Sequence, residues 1–390
     1  MTRVQVDQDQ LVADLTAMVQ CSSVNPFGAE TTPGAEAAMA DLFETQLRDI
    51  GLETDSKMVL PGRRNVWGRI NGPKDGPRLL LAGHLDTVGV DGYDAPFEAR
   101  IENGRMYGRG ACDMKAGLAA YLQVARHFVA HPEHLPGDLI VAGLVDEEYA
   151  MAGSVDFGAS GPTADFAIVA EPSELQVCPV HKGQILVSLT TQGLATHSSV
   201  PSNGINAIYH MAKLIDAFRQ YADDLANRPP DPLCGPPTFS IGVVQGGTDA
   251  CSVPDRCRID LDRRLIPGET AGHALQELRD VVDQVAAQNP QMQAQFGEPF
   301  LMQDPLQTAQ DGPLVQTLTQ ACASVTGTSD IAAFPGSTDA PNLGCTAVIC
   351  GPGALAQCHS LNEYVALDQV VQAVQIYATA IQNFQTVQGI

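Results

Sequence analysis

The sequence predicts an α/β protein with two domains: a three-layer domain built on a mostly parallel sheet, and an inserted α+β domain. Three observations predict this architecture. Helical and strand patterns alternate in both flanks of the chain, as in three-layer α/β domains. The pattern changes in the middle, where strands become edged with polar residues. The length of 390 residues also exceeds what one hydrophobic core usually supports.

The flanks carry apolar runs of strand length between segments with helical spacing. Continuous apolar runs indicate strands that are buried on both faces, as in parallel sheets. The predicted helices cover residues 10–19, 35–50 and 114–129, and the predicted strands cover 65–70, 79–82, 139–145, 166–170 and 346–350. We therefore assign residues 1–179 and 297–390 to the first domain.

Residues 180–296 form the predicted inserted domain. Strands are expected at 185–190 and 258–262, and helices at 206–221 and 274–287. Alternating strands beside two amphipathic helices are typical of an antiparallel sheet that is covered on one face.

Composition narrows the functional classes. A formal net charge of −23 disfavours nucleic acid or an anionic membrane as a partner, because both require clustered Lys and Arg. The first residues show no signal peptide, and no apolar run is long enough to span a bilayer. Ten scattered cysteines without a CxxC pair favour a reduced, cytoplasmic protein.

Metal-ligand residues follow the predicted buried strands. Ligands of open α/β sheets bind beyond the carboxyl ends of the strands, so these side chains should converge there. The candidate ligands are His84, Asp113, Glu148, Glu171 and His359. Two imidazoles and three carboxylates suit Zn²⁺, with Co²⁺ or Mn²⁺ as alternatives. All five can be used by two ions about 3.5–4 Å apart, bridged by one carboxylate, and Asp113 is expected to be that bridge.

Two further carboxylates have expected roles beside the metals. Asp86 lies two residues after His84 on the same side of an extended chain, so it should accept the second imidazole N–H. Glu147 precedes the candidate ligand Glu148 and is free to move a proton. Taken singly, each of these residues is more often structural, and the Glu pair could be a solvated acidic turn.

Four motifs in order resemble the M20 metallopeptidase and amidohydrolase family, which includes acetylornithine deacetylase, succinyl-diaminopimelate desuccinylase, aminoacylase and glutamate carboxypeptidases. They read GHLDTV from Gly83, GRGACDMKAG from Gly108, DEE from Asp146 and AEP from Ala170. The resemblance implies that His84 and Glu171 bind one metal and Glu148 and His359 the other, with Asp113 bridging. It also implies that Glu147 is the general base, that Asp86 supports His84, and that the peptide after Asp113 is cis.

The resemblance extends to the inserted domain, which would serve as a lid and dimer contact. GLATHSS from Gly193 implies that His197 polarises the scissile carbonyl across a dimer interface, and DRRLIPG from Asp262 implies that Arg264 binds a substrate carboxylate. Arg263 should point the other way and lie at the surface. Gly336 and Ser337 resemble a substrate-contacting loop. Cys251 departs from the pattern, since relatives usually have Asn there.

We therefore expect a dinuclear metal-dependent amidohydrolase that deacylates an N-acyl amino acid. A metal-bound water would attack the amide, and Glu147 would act as general base. Glu171 favours a deacylase, because relatives that act on acylated amino acids tend to carry Glu at that position, whereas dipeptidases and aminopeptidases tend to carry Asp. The alternatives are a carboxypeptidase or dipeptidase of the same family, and a non-catalytic metal- or ligand-binding relative.

Overall fold

The computed structural model describes residues 4–27 and 36–387. In chain order, the helices are α1 (Gln8–Gln20), α2 (Ala37–Ile50), α3 (Lys115–Ala130), α4 (Ala152–Ser160), α5 (Ala207–Ala226), α6 (Ala271–Ala287), α7 (Pro313–Thr326) and α8 (Leu367–Val387). The strands of the N-terminal part are β1 (Glu53–Leu60), β2 (Arg63–Ile70), β3 (Leu79–His84), β4 (Arg100–Glu102), β5 (Arg105–Tyr107), β6 (Leu139–Leu144), β7 (Phe166–Pro172) and β8 (Val177–His181). The later strands are β9 (Gly183–Gln192), β10 (Thr196–His197), β11 (Thr238–Gly246), β12 (Ser252–Val253), β13 (Arg256–Leu265), β14 (Gln293–Phe296), β15 (Leu301–Gln303), β16 (Leu306–Gln307), β17 (Ile331–Phe334), β18 (Thr346–Gly351) and β19 (Tyr364–Ala366).

The chain divides into two compact units. The first unit contains the described residues through Pro179, Thr308–Phe334 and those from Thr338 onward, and the inserted unit contains Val180–Gln307 and Pro335–Ser337. The inserted unit thus extends beyond the predicted end at residue 296. The reason is strand pairing: Leu301–Gln303 pair with β9, and Leu306 and Gln307 pair with His181 and Val180.

The sheet of the first unit has four parallel strands at its centre. Its order runs β1-β2-β6-β3-β7-β18-β8, and the pairs β6–β3, β3–β7 and β7–β18 are parallel. These four strands are the apolar runs predicted to carry ligands, and β3 and β6 are buried along their whole length. Burial of both faces explains why they read as continuous Leu, Ile, Val and Ala. The α/β class and the mostly parallel sheet are confirmed.

Helix α3 lies close to the centre of this sheet because glycines permit the approach. A Cβ on Gly117 would lie 2.5 Å from Ala170 Cβ of β7, and one on Gly83 of β3 would lie 2.5 Å from Met114 Cε. Both distances are too short for a real side chain, so the N-terminal end of α3 rests directly on the two strands. The predicted helices at 10–19 and 114–129 correspond to α1 and α3, and that at 35–50 to α2, although Ala35 itself lies outside the described residues.

The inserted unit is an antiparallel sheet with two helices. Strands β11, β13, β9 and β14 pair in that order, and β15 also pairs with β9. Buried and partly exposed residues alternate along β9 and β13, and the buried set packs with α5 and α6 in one hydrophobic cluster. One face of these strands is therefore covered, as the alternating pattern indicates.

Two further sequence expectations concern the chain as a whole. Within 4–27 and 36–387, every helix is too short or too polar to cross a membrane. All ten cysteines fall in the described residues, and each is a free thiol.

Candidate metal centre

The candidate ligands converge at the carboxyl ends of the parallel strands. His84 ends β3, Glu171 lies near the end of β7, and Glu148 follows β6. Asp113 lies two residues before the start of α3, and His359 lies in the loop after β18 at a positive φ of 60°. Strand ends thus bring together residues that are far apart in the sequence, which is the convergence that the apolar runs predicted.

Asp113 lies between the two imidazoles. Its Oδ1 is 3.1 Å from His84 Nε2, and its Oδ2 is 3.6 Å from His359 Nε2. His359 Nε2 is also 3.1 Å from Glu148 Oε2, and Glu171 Oε1 is 3.7 Å from His84 Nε2. One carboxylate therefore faces both histidines, and each histidine has a second carboxylate of its own.

The donor set fits divalent metal ions. One donor atom each from His84, Asp113 and Glu148 lies within 4.8 Å of the others. Glu171 Oε1 is buried without a hydrogen-bond partner. Burial raises the pKa of Glu171 well above its usual range, and burial together with the Asp113 charge raises that of Glu148. Crowded, buried carboxylates of this kind are stabilised in their charged form by a nearby cation.

Asp86 contacts His84 with its main chain and faces it with its carboxylate. His84 Nδ1 is 3.0 Å from the main-chain carbonyl of Asp86 and 3.6 Å from its carboxylate. The carboxylate also accepts hydrogen bonds from Asn25 Nδ2 at 2.7 Å and from the main-chain N–H groups of Glu147 and Glu148, each at 3.1 Å. Asp86 thus lies against His84, and its side chain also fixes the turn that carries the two glutamates.

A buried network continues from this turn. Asn25 Nδ2 also donates to Asp146 Oδ1 at 3.1 Å, and Arg63 donates to the same oxygen at 2.7 Å. Arg63 pairs with Glu36, which in turn accepts from the Asp146 N–H at 2.9 Å. Asp146 adopts a positive φ of 71°, so these contacts hold an unusual backbone conformation directly before Glu147.

Glu147 has the environment of an acid–base group. Its side chain is half-buried beside the candidate ligands. Burial raises its pKa well above the usual range, and the negative charges of Glu171, Asp339 and Glu148 raise it further, whereas His84 opposes the shift. A buried carboxyl with a raised pKa beside candidate metal ligands is typical of an acid–base group.

The loop that carries Asp113 is held by a residue that the sequence reasoning missed. The Glu363 carboxylate accepts four hydrogen bonds: at 2.6 Å from Arg109 Nη1, at 3.1 Å from the Gly110 N–H, at 2.8 Å from the Cys112 N–H and at 3.1 Å from the Asp113 N–H. Both members of the Arg109–Glu363 pair are buried. The only signal in the sequence is that Glu363 follows His359 closely.

The peptide between Asp113 and Met114 is cis, which confirms the expectation of a cis peptide after Asp113.

Asp339 belongs to the loop 336–340, which resembles a substrate-contacting loop and from which only Gly336 and Ser337 were singled out as site residues. It is almost fully buried, and burial raises its pKa to about 7. Its charge in turn raises the pKa of Glu147 and of Glu171.

The other predicted substrate residues lie in the inserted unit. His197 is exposed, with Nδ1 2.7 Å from Ser199 Oγ. Arg264 is partly exposed and pairs with Asp262 at 3.0 Å. Gly336 precedes Ser337, whose hydroxyl donates to the Lys182 carbonyl at 3.3 Å. These four assignments, His197, Arg264, Gly336 and Ser337, rest on the resemblance.

Two details of the inserted unit bear on the sequence interpretation. Arg263 is fully buried, so the expectation of a surface residue is wrong. It lies on the same face of β13 as Ile259 and Leu261, and it donates to Tyr221 Oη at 3.0 Å and Glu269 Oε1 at 2.6 Å. Cys251 is exposed, and its carbonyl accepts a hydrogen bond from the Ser198 N–H at 2.8 Å.

Comparisons with known proteins identify what this architecture is similar to. Residues 80–383 match the sequence model of peptidase family M20/M25/M40. An acetylornithine deacetylase of Vibrio cholerae is 27% identical over 379 residues, covering 94% of this chain and 96% of the relative. A tripeptidase from Staphylococcus aureus has a TM-score of 0.79 at 20% identity, covering 98% of this chain and 100% of its own. A dinuclear metal binding peptidase from M20 family, from Bacillus subtilis, has a TM-score of 0.71 at 17% identity, covering 96% and 97%.

Proposed function

Because the chain belongs to peptidase family M20/M25/M40, a family of metal-dependent hydrolases that act on amide bonds, we propose that it removes the acyl group from an N-acyl amino acid with the aid of two divalent metal ions. The observation that carries this proposal is the position of Asp113 between His84 and His359, with Glu147 beside them. That arrangement combines a bridging carboxylate with a proton-transfer group at the same sheet edge.

The proposed ligand assignment follows the distances. His84 and Glu171 would hold one ion, His359 and Glu148 the other, and Asp113 would bridge them. Zn²⁺ suits two imidazoles with three carboxylates, and Co²⁺ or Mn²⁺ can use the same donors. A metal pair supplies Lewis-acid polarisation of a carbonyl and makes water a better nucleophile near neutral pH.

Glu147 is proposed to take a proton from the attacking water and to deliver it to the leaving amine. Its raised pKa supports the second step, because a carboxyl with a raised pKa holds a transferred proton more readily than an ordinary carboxyl. Asp86 supports this role of Glu147 indirectly. Its carboxylate accepts a hydrogen bond from the Glu147 N–H and so fixes the backbone position of Glu147.

The choice of a deacylase rests on Glu171 and on the curated relatives. The family resemblance associates Glu at this position with substrates that are acylated amino acids, and the Vibrio cholerae relative is named an acetylornithine deacetylase. The runner-up activity is that of a carboxypeptidase or dipeptidase. A panel of substrates will identify the acyl group and the amino acid.

Substrate binding and dimerisation are proposed for the inserted unit. His197 would polarise the scissile carbonyl, Arg264 would bind the substrate carboxylate bidentately, and Gly336 and Ser337 would contact the substrate. A homodimer is supported by the edge strand β11, on which Val243 and Val244 are exposed. An exposed apolar edge strand is a surface that pairs readily with a second chain. The reduced thiols favour a cytoplasmic location, which stays a prediction.

The deciding experiment is a substrate panel. N-acetyl, N-succinyl and N-formyl amino acids are offered together with dipeptides, and release of a free amine is measured before and after treatment with a chelator. We expect release from an N-acyl amino acid that stops with the chelator and returns with Zn²⁺ or Co²⁺. Faster cleavage of dipeptides would favour the runner-up, and no release from any substrate would favour a non-catalytic relative.

The Glu147→Gln variant is the matched control. It keeps the size of the side chain but cannot exchange a proton, so we expect loss of activity with the metal content unchanged. Metal analysis that finds the sites of this variant empty would contradict the separation of roles between Glu147 and Glu148.

A further inference from the structure

A second group of metal-ligand side chains lies in the first unit, outside the candidate active site. The chain has nine histidines, and His127, His131 and His134 fall in one short segment, with Glu133 between the last two. The segment begins in the last turn of α3 and continues through a short 3₁₀ turn, Pro132–His134. None of these residues takes part in the proposed reaction.

The donor atoms of this group are close together. His131 Nδ1 is 3.4 Å from Glu133 Oε1, and His134 Nε2 is 3.8 Å from the same oxygen. One donor atom from each of the three residues lies within 4.8 Å of the other two. Ligands of a tetrahedral Zn²⁺ ion at about 2.0–2.1 Å lie about 3.3 Å from one another. Small side-chain adjustments would therefore bring these three donors onto one ion.

The backbone that carries the donors is fixed. The His131 N–H donates to the His127 carbonyl at 2.9 Å, and the His134 N–H donates to the His131 carbonyl at 3.1 Å. Leu135, which follows directly, is buried in the main core of the first unit. Because the turn is anchored on both sides, a metal ion would bind a largely preformed site and would have to order only side chains.

The surroundings favour a bound cation. The group lies at the C-terminal end of α3, where the helix dipole attracts positive charge. Burial lowers the pKa of His127, and the neighbouring His131 and His134 lower it further. The rings of His131 and His134 are stacked with centroids 5.5 Å apart, so the two imidazoles lie side by side.

We propose that His131, Glu133 and His134 form a peripheral binding site for one borderline divalent transition-metal ion, such as Zn²⁺. Water completes the coordination, because the side chains of all three residues are exposed. His127 lies next to the proposed site, with its ring centroid 5.2 Å from that of His131. The proposal is independent of the hydrolase activity, since it depends on none of the candidate catalytic residues.

Zinc binding by equilibrium dialysis tests the proposal. The holoenzyme, the double variant His131→Ala/His134→Ala and the single variant Glu133→Gln are dialysed against a series of Zn²⁺ concentrations, and bound zinc is measured by atomic absorption. We expect wild type to bind one more Zn²⁺ than the double variant, and Glu133→Gln to weaken that additional site at least tenfold. Activity of both variants on the best substrate should stay within twofold of wild type.

The matched control is His273→Ala. His273 is exposed on α6 and lies near a glutamate, with Nε2 3.8 Å from Glu277 Oε1, but among the residues that the structure describes it belongs to no group of three metal-ligand side chains. Zinc binding should be unchanged in this variant. The proposal is overturned by equal zinc binding in wild type and the double variant, or by an equal loss in His273→Ala, which would indicate non-specific binding to surface histidines. Because Glu133 is exposed, its variant keeps the test valid if the double variant folds poorly.

Discussion

Replacing Glu363 by Gln should separate the positioning of Asp113 from the stability of the fold. The carboxylate receives a charge-assisted hydrogen bond from Arg109 and three bonds from the main chain of the loop that ends at Asp113. Gln offers only one oxygen, and its amide nitrogen must face some of these donors. The variant therefore leaves the buried Arg109 cation without its charge partner.

The expected magnitude follows from the burial of the pair. Glu363 and Arg109 have side-chain exposures of 0% and 2%, and removing one partner of a buried ion pair costs about 3–5 kcal/mol. Because one oxygen stays in place, we expect a loss near the lower end, about 3 kcal/mol of unfolding free energy. Loss of residues that orient a metal ligand weakens metal binding about 10–100-fold, and the same range is expected here.

Two measurements on the same variant check these numbers. Urea unfolding of metal-free protein gives the free energy of unfolding, and competition with a chromophoric chelator gives the metal affinity of the folded protein. Glu98→Gln, at an exposed position of the first unit, is the control and should change neither. Metal affinity that stays at the wild-type value in Glu363→Gln would refute a positioning role, whatever happens to stability.

Three further predictions concern the inserted unit. Arg264→Ala should lower kcat/KM for a free-acid substrate by an amount equivalent to about 2–5 kcal/mol of binding free energy, because the substrate carboxylate loses its partner. The corresponding substrate amide and the control Arg258→Ala, a residue on the same strand paired with Asp260, should change little; equal losses for acid and amide would contradict the assignment. Mixing inactive His197→Ala with inactive Glu147→Gln should restore about a quarter of wild-type activity, because half of the random dimers would each have one intact site; no recovery after verified subunit exchange would exclude action across a dimer. Burial lowers the pKa of His181 to about 4, below the value of about 6.5 in an unfolded chain. The stabilising contribution of keeping His181 neutral is therefore complete above pH 6.5 and is lost as the pH falls toward 4, by about 3 kcal/mol at about 1.4 kcal/mol per pKa unit. Urea unfolding at several pH values should show a smaller acid-induced loss in His181→Gln than in wild type, and an identical loss would rule out this origin.

The sequence by itself predicted the strands at the centre of the sheet and the residues that lie together in the candidate site. Apolar runs of strand length are local signals, and both-sided burial of β3, β6, β7 and β18 is what made them continuous. Once the strands were placed, polar residues at their carboxyl ends had to converge, because parallel strands end at the same edge. The alternation along β9 and β13 likewise predicted a sheet covered on one face.

The tertiary structure decided which partner each polar group finds. Alternation correctly put Arg263 and Arg264 on opposite faces of the strand. It did not reveal that Tyr221 and Glu269 accept hydrogen bonds from the buried Arg263 guanidinium on the core face. Glu363 reaches the Asp113 loop only because β19 pairs with β5, far away in the sequence. Residues 297–307 belong to the inserted unit because strands β15 and β16 within them pair with β9 and β8. Periodicity reports which face a residue occupies, whereas hydrogen-bond partners and domain limits depend on long-range contacts that no local pattern contains.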